Sequence, residues 1–273
     1  MRVKSKERRK VAIFIETSTD YCRRMLAGID RFLQNNKNWS VYLDQSIQDG
    51  HSIGWITAHK WDGILYRHSD RAIKRTLLTN SVPAVILTDM HEVPNYTVVV
   101  SDHQSIGSLG AQHLKKCGMR HFAFCGFTGR NWSDFRKESF CNAVAKFGCQ
   151  AAVWESPMLS QSSRHWGEDM EALRRWIDSL PKPIGIMAAN DTRALHVMKG
   201  CEELGLVIPD QVAVIGVDNE ETLCKFSNPP ITSILPDCEQ IGFQAAQRLD
   251  DMMSGSRVEA KRIEISGSVK MFL

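Results

Sequence analysis

Short apolar runs separated by amphipathic stretches recur from one end of this chain to the other. The first run, Val11 to Ile15, predicts a buried strand, and Asp20 to Gln34 after it reads as a helix with Met25, Ile29, Phe32 and Leu33 on one face. The alternation continues with strands at Trp39–Leu43, Gly63–Tyr66, Ala84–Leu87 and Val98–Val100, and helices at Ile53–His59 and Ala72–Thr79. Beyond Ser101 the pattern begins afresh. Helices are expected at Gln104–Cys117, Asp134–Phe147, Asp169–Leu180, Ala194–Leu204 and Glu239–Met253. Strands are expected at Phe122–Cys125 and Ala151–Trp154, from Gly185, from Val212, and in the proline-containing segment Ser233–Asp237. Strands alternating with helices of ten to fifteen residues predict parallel sheets with right-handed crossovers. The fold class is therefore α/β. Some ten strands exceed one comfortable sheet, so two doubly wound lobes are expected, divided near residue 101.

The apolar strand beginning at Gly185 runs into Asn190 and Asp191, and Val212–Val217 runs into Asp218. In a parallel sheet, ligands sit outside the carboxyl ends of the strands, so these polar groups point to one crevice for a small polar ligand. Asp191 has a second reading as the cap of the helix that follows it. Asp218 has less reason to cap, because no clean helical pattern starts directly after it.

Composition narrows the function classes. At 273 residues, 43% hydrophobic and 24% charged, the chain is ordinary for a globular protein. Its net charge of +3 is concentrated in Arg2, Lys4, Lys6, Arg8, Arg9 and Lys10. That arm, residues 1–10, reads either as a phosphate-binding segment or as a solvated tail. The eight cysteines form no C-x-x-C pair and no zinc-spaced cluster, so neither a metal nor another cofactor is expected. Cys125 reads as a small buried apolar residue, and free thiols suit a reducing cytoplasm. No apolar run approaches a membrane span, and Val11–Ile15 is too short for a secretory core. An enzyme is disfavoured. Glu16-Thr17-Ser18-Thr19-Asp20 stands where a dinucleotide-binding glycine loop would follow the first strand, and no nucleophile elbow or phosphate loop occurs.

Several motifs carry a family resemblance. Ser101-Asp102-His103-Gln104-Ser105-Ile106-Gly107 through Ala111-Gln112-His113-Leu114 and Cys117–Gly126 resembles a stretch of the lactose/galactose-repressor effector core. Arg136-Lys137-Glu138-Ser139-Phe140 is similar to that family's "R..GF", with Ser139 in place of glycine. Ala189–Ala194 resembles "ANDxxA", Val214–Asn219 resembles "VIGxDN", and Pro229–Ile234 resembles "PPLTTI". Within the family, Ile215–Glu221, Trp132 shortly before Arg136 and the early first strand look like the xylose-operon regulator subgroup. The resemblance implies the type I periplasmic-binding-protein-like fold, with lobes made of 11–101 with 237–262 and of 102–236 with 263–273, joined by crossing strands. Only ten residues precede the first strand, and nothing after Arg262 resembles an AraC-type module. DNA contact is thus expected only through a module outside this chain.

The same resemblance implies a sugar effector, a homodimer and no membrane partner. It assigns Arg136 to sugar oxygens, Asn190 to an amide contact and Asp218 to a hydroxyl pair, with Ser101 lining a cleft between the lobes. Thr17, Ser18 and Tyr21 fall in a loop that closes the site. Trp132 reads either as a stacking platform or as a core ring, and Tyr21 is equally open; Trp154 reads as core. Asp89 and Asp102 either touch ligand or brace the hinge, and Glu16 is a weaker candidate. His91, His103, His113 and His121 are expected on helix faces or the surface. The implied activity is a sugar-sensing effector domain that binds a pentose such as xylose and controls DNA binding by lobe closure. The alternative is a solute receptor for sugar uptake or chemotaxis.

Overall fold

A computed structural model describes residues 8–44, 59–67, 82–89, 96–159, 163–256 and 259–270. The helices expected at 53–59 and 72–79, residues 1–7 of the basic arm, and His91 lie outside the described residues, except for His59 itself.

The chain divides into two compact units, 1–101 with 237–265 and 102–236 with 266–273. The first holds β1 (Arg9–Ile15), α1 (Asp20–Asn35), β2 (Trp39–Asp44), β3 (Gly63–Arg67), β4 (Ala84–Ile86) and β5 (Thr97–Ser101). The second holds α2 (His103–Lys116), β6 (His121–Phe127), α3 (Asn131–Ala145), β7 (Ala151–Ser156), α4 (Trp166–Ser179), β8 (Ile184–Ala188), α5 (Asp191–Glu203), β9 (Val212–Val217), α6 (Glu221–Phe226) and β10 (Thr232–Leu235). The chain then returns to the first unit as α7 (Cys238–Met253) and β11 (Arg262–Ile265), and ends in the second as β12 (Ser268–Lys270).

Each unit contains one six-stranded sheet. The first has strand order β11-β5-β4-β3-β1-β2, with every pairing parallel. The second runs β12-β10-β9-β8-β6-β7, parallel except for the antiparallel β12. In each, the strand that enters the unit has the next strand on one side and the third on the other. That arrangement opens a crevice at the carboxyl ends of the flanking strands. Central strands are apolar throughout, as burial on both faces requires: β3 from Gly63 to Tyr66 and all of β8 are buried.

Several boundaries differ from the sequence reading. The second crossing back falls after Ile265 rather than Arg262, because β11 pairs along its whole length with β5. Arg9 and Lys10 belong to β1, not to a tail. The Arg9 guanidinium contacts Asp250 on α7 at 3.0 Å, and the Lys10 amide donates to Asp62 at 2.7 Å. A short helix, α6, does follow Asp218 after all.

Two glycines set how α7 lies on α1. A Cβ at Gly28 would stand 1.9 Å from the Glu239 carbonyl oxygen, and one at Gly242 would stand 1.9 Å from that of Met25. The helices therefore touch backbone to backbone, with Met25, Ile29, Ile241 and Ala245 closing the core around the contact. In the second unit, α2 and α3 meet at Gly107. Ser139, the departure from the family's glycine, fits there because its hydroxyl donates to the Gln104 carbonyl at 2.6 Å.

Candidate functional site

The second unit brings the strongest polar constellation together at the carboxyl ends of β8 and β9. After β8, Asn190 adopts extended backbone and caps α5, its Oδ1 accepting from the Arg193 amide at 2.9 Å. After β9, Asp218 and Asn219 take φ values of 99° and 50°, a region that non-glycine residues seldom occupy. The turn is held by two bonds: the Asp218 amide donates to Ile234 O at 2.9 Å, and the Asn219 amide to Ser233 Oγ at 3.0 Å. Such strain persists where surrounding contacts over-determine it, commonly at functional sites.

Arg136 reaches this turn from α3. Its Nη2 donates to Asp218 Oδ1 at 2.9 Å, its Nη1 to the Ala189 carbonyl at 2.6 Å, and its Nε to His103 Nδ1 at 3.4 Å. Because a guanidinium can only donate, His103 must accept at Nδ1 and carry its proton on Nε2. His103 is thus a buried partner of the site rather than a surface residue, at 4% exposure and stacked on Phe135. The pair is asymmetric: the Arg136 side chain is 3% exposed and that of Asp218 24%. A buried guanidinium pinned by three acceptors thereby presents a carboxylate toward solvent. The Trp132 ring lies 5.1 Å from the Arg136 guanidinium and edge-on to Phe127 at 5.9 Å. Charged donors, a carboxylate and a flat aromatic surface occur side by side, the combination that a polyhydroxylated ring needs.

Asp191 departs from its expected role. It is 1% exposed, with Oδ2 accepting from the Glu220 amide at 2.7 Å and Oδ1 from the Ser233 hydroxyl at 2.6 Å. Gly216 allows this approach, since a Cβ there would lie 2.1 Å from Oδ1. Burial, and then the nearby charge of Asp218, push its pKa up to about 7. Neither ligand contact nor capping describes it: Asn190 is the cap, and Asp191 ties α5 to the turn that carries Asp218.

In the first unit, Ser101 at the end of β5 is fully buried and its hydroxyl pairs with that of Tyr21 at 2.8 Å. Ser101 anchors Tyr21 and has no exposed surface of its own. Burial raises the Tyr21 phenol well above its ordinary range, so it stays protonated. Thr17 is partly exposed, and its carbonyl accepts from Arg23 at 2.9 Å. Arg67 was not foreseen: it ends β3, donates to Glu16 Oε1 at 3.2 Å and lies 5.2 Å from the Tyr21 ring centroid. Its position at the end of a strand was the available signal. Asp102 caps α2 and accepts from Ser266 at 2.9 Å, while Asp89 contacts Arg262 at 3.3 Å. Both act as braces.

Of the remaining residues, Ser18 and His121 are exposed and His113 half-buried, whereas Trp154 packs against the core and Cys125 lies within it. Trp154 stacks with Trp176, and Cys125 is wholly buried, with burial raising its thiol to about 12. All eight cysteines are free thiols. Among the described residues no helix is long and apolar enough to cross a membrane, and no group of His, Cys, Asp or Glu is arranged to hold a metal ion.

Comparison with known proteins agrees with this architecture. Residues 111–270 match the periplasmic binding protein-like domain. The xylose operon regulatory protein of Escherichia coli K12 is 26% identical over 265 residues, which is 94% of this chain and 67% of that one. Its namesake in Haemophilus influenzae is also 26% identical, over 91% of this chain and 65% of that one. This chain spans about two thirds of the length of those relatives. Among solved structures, the xylose-binding transcription activator xylR superposes with a TM-score of 0.84 at 25% identity, covering 97% of this chain and 69% of that one. The lac repressor dimer bound to operator gives 0.78 at 18% identity, over 98% and 94%. Sharing its fold with these structures, and matched by the family over more than half its length, the chain belongs to the periplasmic binding protein-like domain family.

Proposed function

We propose that this chain is the sugar-sensing core of a transcription regulator, with Arg136, Asp218, Asn190 and Trp132 forming the ligand-binding face of its second unit. The observation that carries the reading is the Arg136–Asp218 pair at 2.9 Å. Three of the five guanidinium N–H groups are committed to Ala189, Asp218 and His103, which leaves two beside a partly exposed carboxylate. One hydroxyl can donate to the carboxylate while accepting from the guanidinium, so the pair discriminates in favour of polyols.

A pentose is favoured because xylose operon regulatory proteins are among the relatives similar to this chain over more than nine tenths of its length, at 26% identity. The family resemblance adds Thr17 and Tyr21 of the first unit as further contacts. It also supplies the mechanism: a ligand favours closure of the lobes by binding the closed state more tightly, and closure alters an attached DNA-binding module or a dimer partner. On this reading the protein works in the cytoplasm and makes or breaks no covalent bond. A transcriptional role is preferred to a transport receptor because the similar proteins are transcription regulators.

The test is a thermal-shift screen of pentoses and hexoses against wild type, Asp218→Asn and Arg136→Met. Wild type should be stabilised by one sugar, and neither folded variant should respond. Undiminished stabilisation in both variants would overturn the assignment of the site.

A further inference from the structure

Arg193 is among the largest fully buried side chains, at 1% exposure, and it has no place in the binding face described above. From the first turn of α5 it lies over the ends of β6 and β7. Its Nη2 donates to Ser156 Oγ at 2.9 Å, and its Nη1 stands 3.6 Å from Asp169 Oδ2, longer than a hydrogen bond. Among the described residues Nε has no hydrogen-bond partner, and Nη1 has only this long ion pair with Asp169. Burying a guanidinium so incompletely satisfied is costly, and an apolar side chain of similar volume would be cheaper in such a place.

What the guanidinium supplies, and a methionine would not, is a rigid flat cation in contact with two rings. Its central carbon lies 4.0 Å from the Phe127 ring centroid and 5.1 Å from that of Trp154. Phe127 itself meets Trp132 edge-on, at 5.9 Å and 67°. Trp132 in turn lies 5.1 Å from the Arg136 guanidinium. A chain of contacts therefore links the buried Arg193 through Phe127 and Trp132 to the Arg136–Asp218 pair.

We propose that Arg193 is a positioning residue for ligand recognition: by clamping Phe127 against Trp154 it sets the plane of Trp132, the ring offered to the apolar face of the ligand. The ligand part of this proposal rests on the sugar-binding reading above.

The test uses the full chain labelled with 5-fluorotryptophan, in which Trp132 is one of seven tryptophans and its fluorine resonance is assigned by its loss in Trp132→Phe. In Arg193→Met, with far-UV circular dichroism and cooperative melting retained, the Trp132 resonance is expected to shift and broaden. The Kd for whichever sugar stabilises wild type is expected to weaken about tenfold, as preorganisation is lost. In a Trp132→Phe background the same substitution should have little further effect on Kd. An unmoved Trp132 resonance in the folded variant, or an equal loss of affinity without Trp132, would overturn the proposal. Should Arg193→Met fail to fold, Arg193→Lys, which keeps the charge but not the plane, and Phe127→Leu, which cuts the relay, decide by the same resonance. If no sugar binds wild type, the sugar reading fails, while the fluorine spectrum still decides whether Arg193 orients Trp132.

Discussion

Asp191 holds a carboxyl group almost entirely out of contact with water, and this has a measurable signature. An unfolded aspartate releases its proton near 3.8, whereas the folded chain retains it up to about 7. Between those values the folded state binds more protons than the unfolded state, so stability falls as pH rises through that interval. The effect is bounded at about 4 kcal/mol by a shift of roughly three units. Asp191→Asn keeps an acceptor for the Glu220 amide and can donate to Ser233 Oγ. Its melting temperature should therefore depend less on pH between 5 and 8 than that of wild type, and identical pH profiles would contradict this account. At Asp218 the choice of substitution decides the result. Both alanine and asparagine remove the counter-ion of the buried Arg136, but alanine also removes the acceptor of Nη2 and should cost about 3–5 kcal/mol, whereas asparagine keeps that acceptor and the shape and should cost less. The sequence placed Asn190, Asp191 and Asp218 at strand ends but could not separate cap from brace. Adjacent helical residues differ by about 100° in direction, and only the packed turn decides which one faces inward. Arg193 was less legible still, since arginine is among the residue types seldom fully buried.

At the scale of elements, the apolar pattern located β1 to β10 but not the two short strands β11 and β12, and the other discrepancies lie mainly at helix ends. The third helix starts at Asn131 rather than Asp134 because Trp132, Ser133 and Arg136 are drawn inward by the site rather than by an apolar stripe. Ser133 Oγ, for example, accepts from the Phe127 amide at 2.9 Å. The helix after Asp218 was missed because it is only six residues long. The contact between α1 and α7 makes a prediction of its own. Gly242→Ala forces a methyl group against the Met25 carbonyl and should destabilise the chain by about 1–3 kcal/mol in chemical denaturation. Gly167→Ala in α4 meets nothing within 4 Å and should be neutral or stabilising by about 0.5–1 kcal/mol. Equal effects at the two positions would show that the close approach does not matter.

For the molecule as a whole, the two wound sheets were readable from the alternation of strands and helices, because parallel β-α-β winding leaves few topologies open. Ligand identity was not readable in the same way, since the residues that face a sugar are few and their neighbours set their geometry. A sugar at about 100 times its Kd should raise stability by about 2.7 kcal/mol. For a chain of this size that is an increase of roughly 5–10 °C in melting temperature. No rise with any pentose or hexose would count against the proposed function. The threading of the chain also bears on its biosynthesis. The first unit cannot be finished until residues 237–265 exist, because α7 and β11 come from there, whereas the second needs only its antiparallel edge strand after residue 236. A ribosome paused with residue 236 just emerged would hold a protease-resistant later half beside an earlier half still waiting for its last helix.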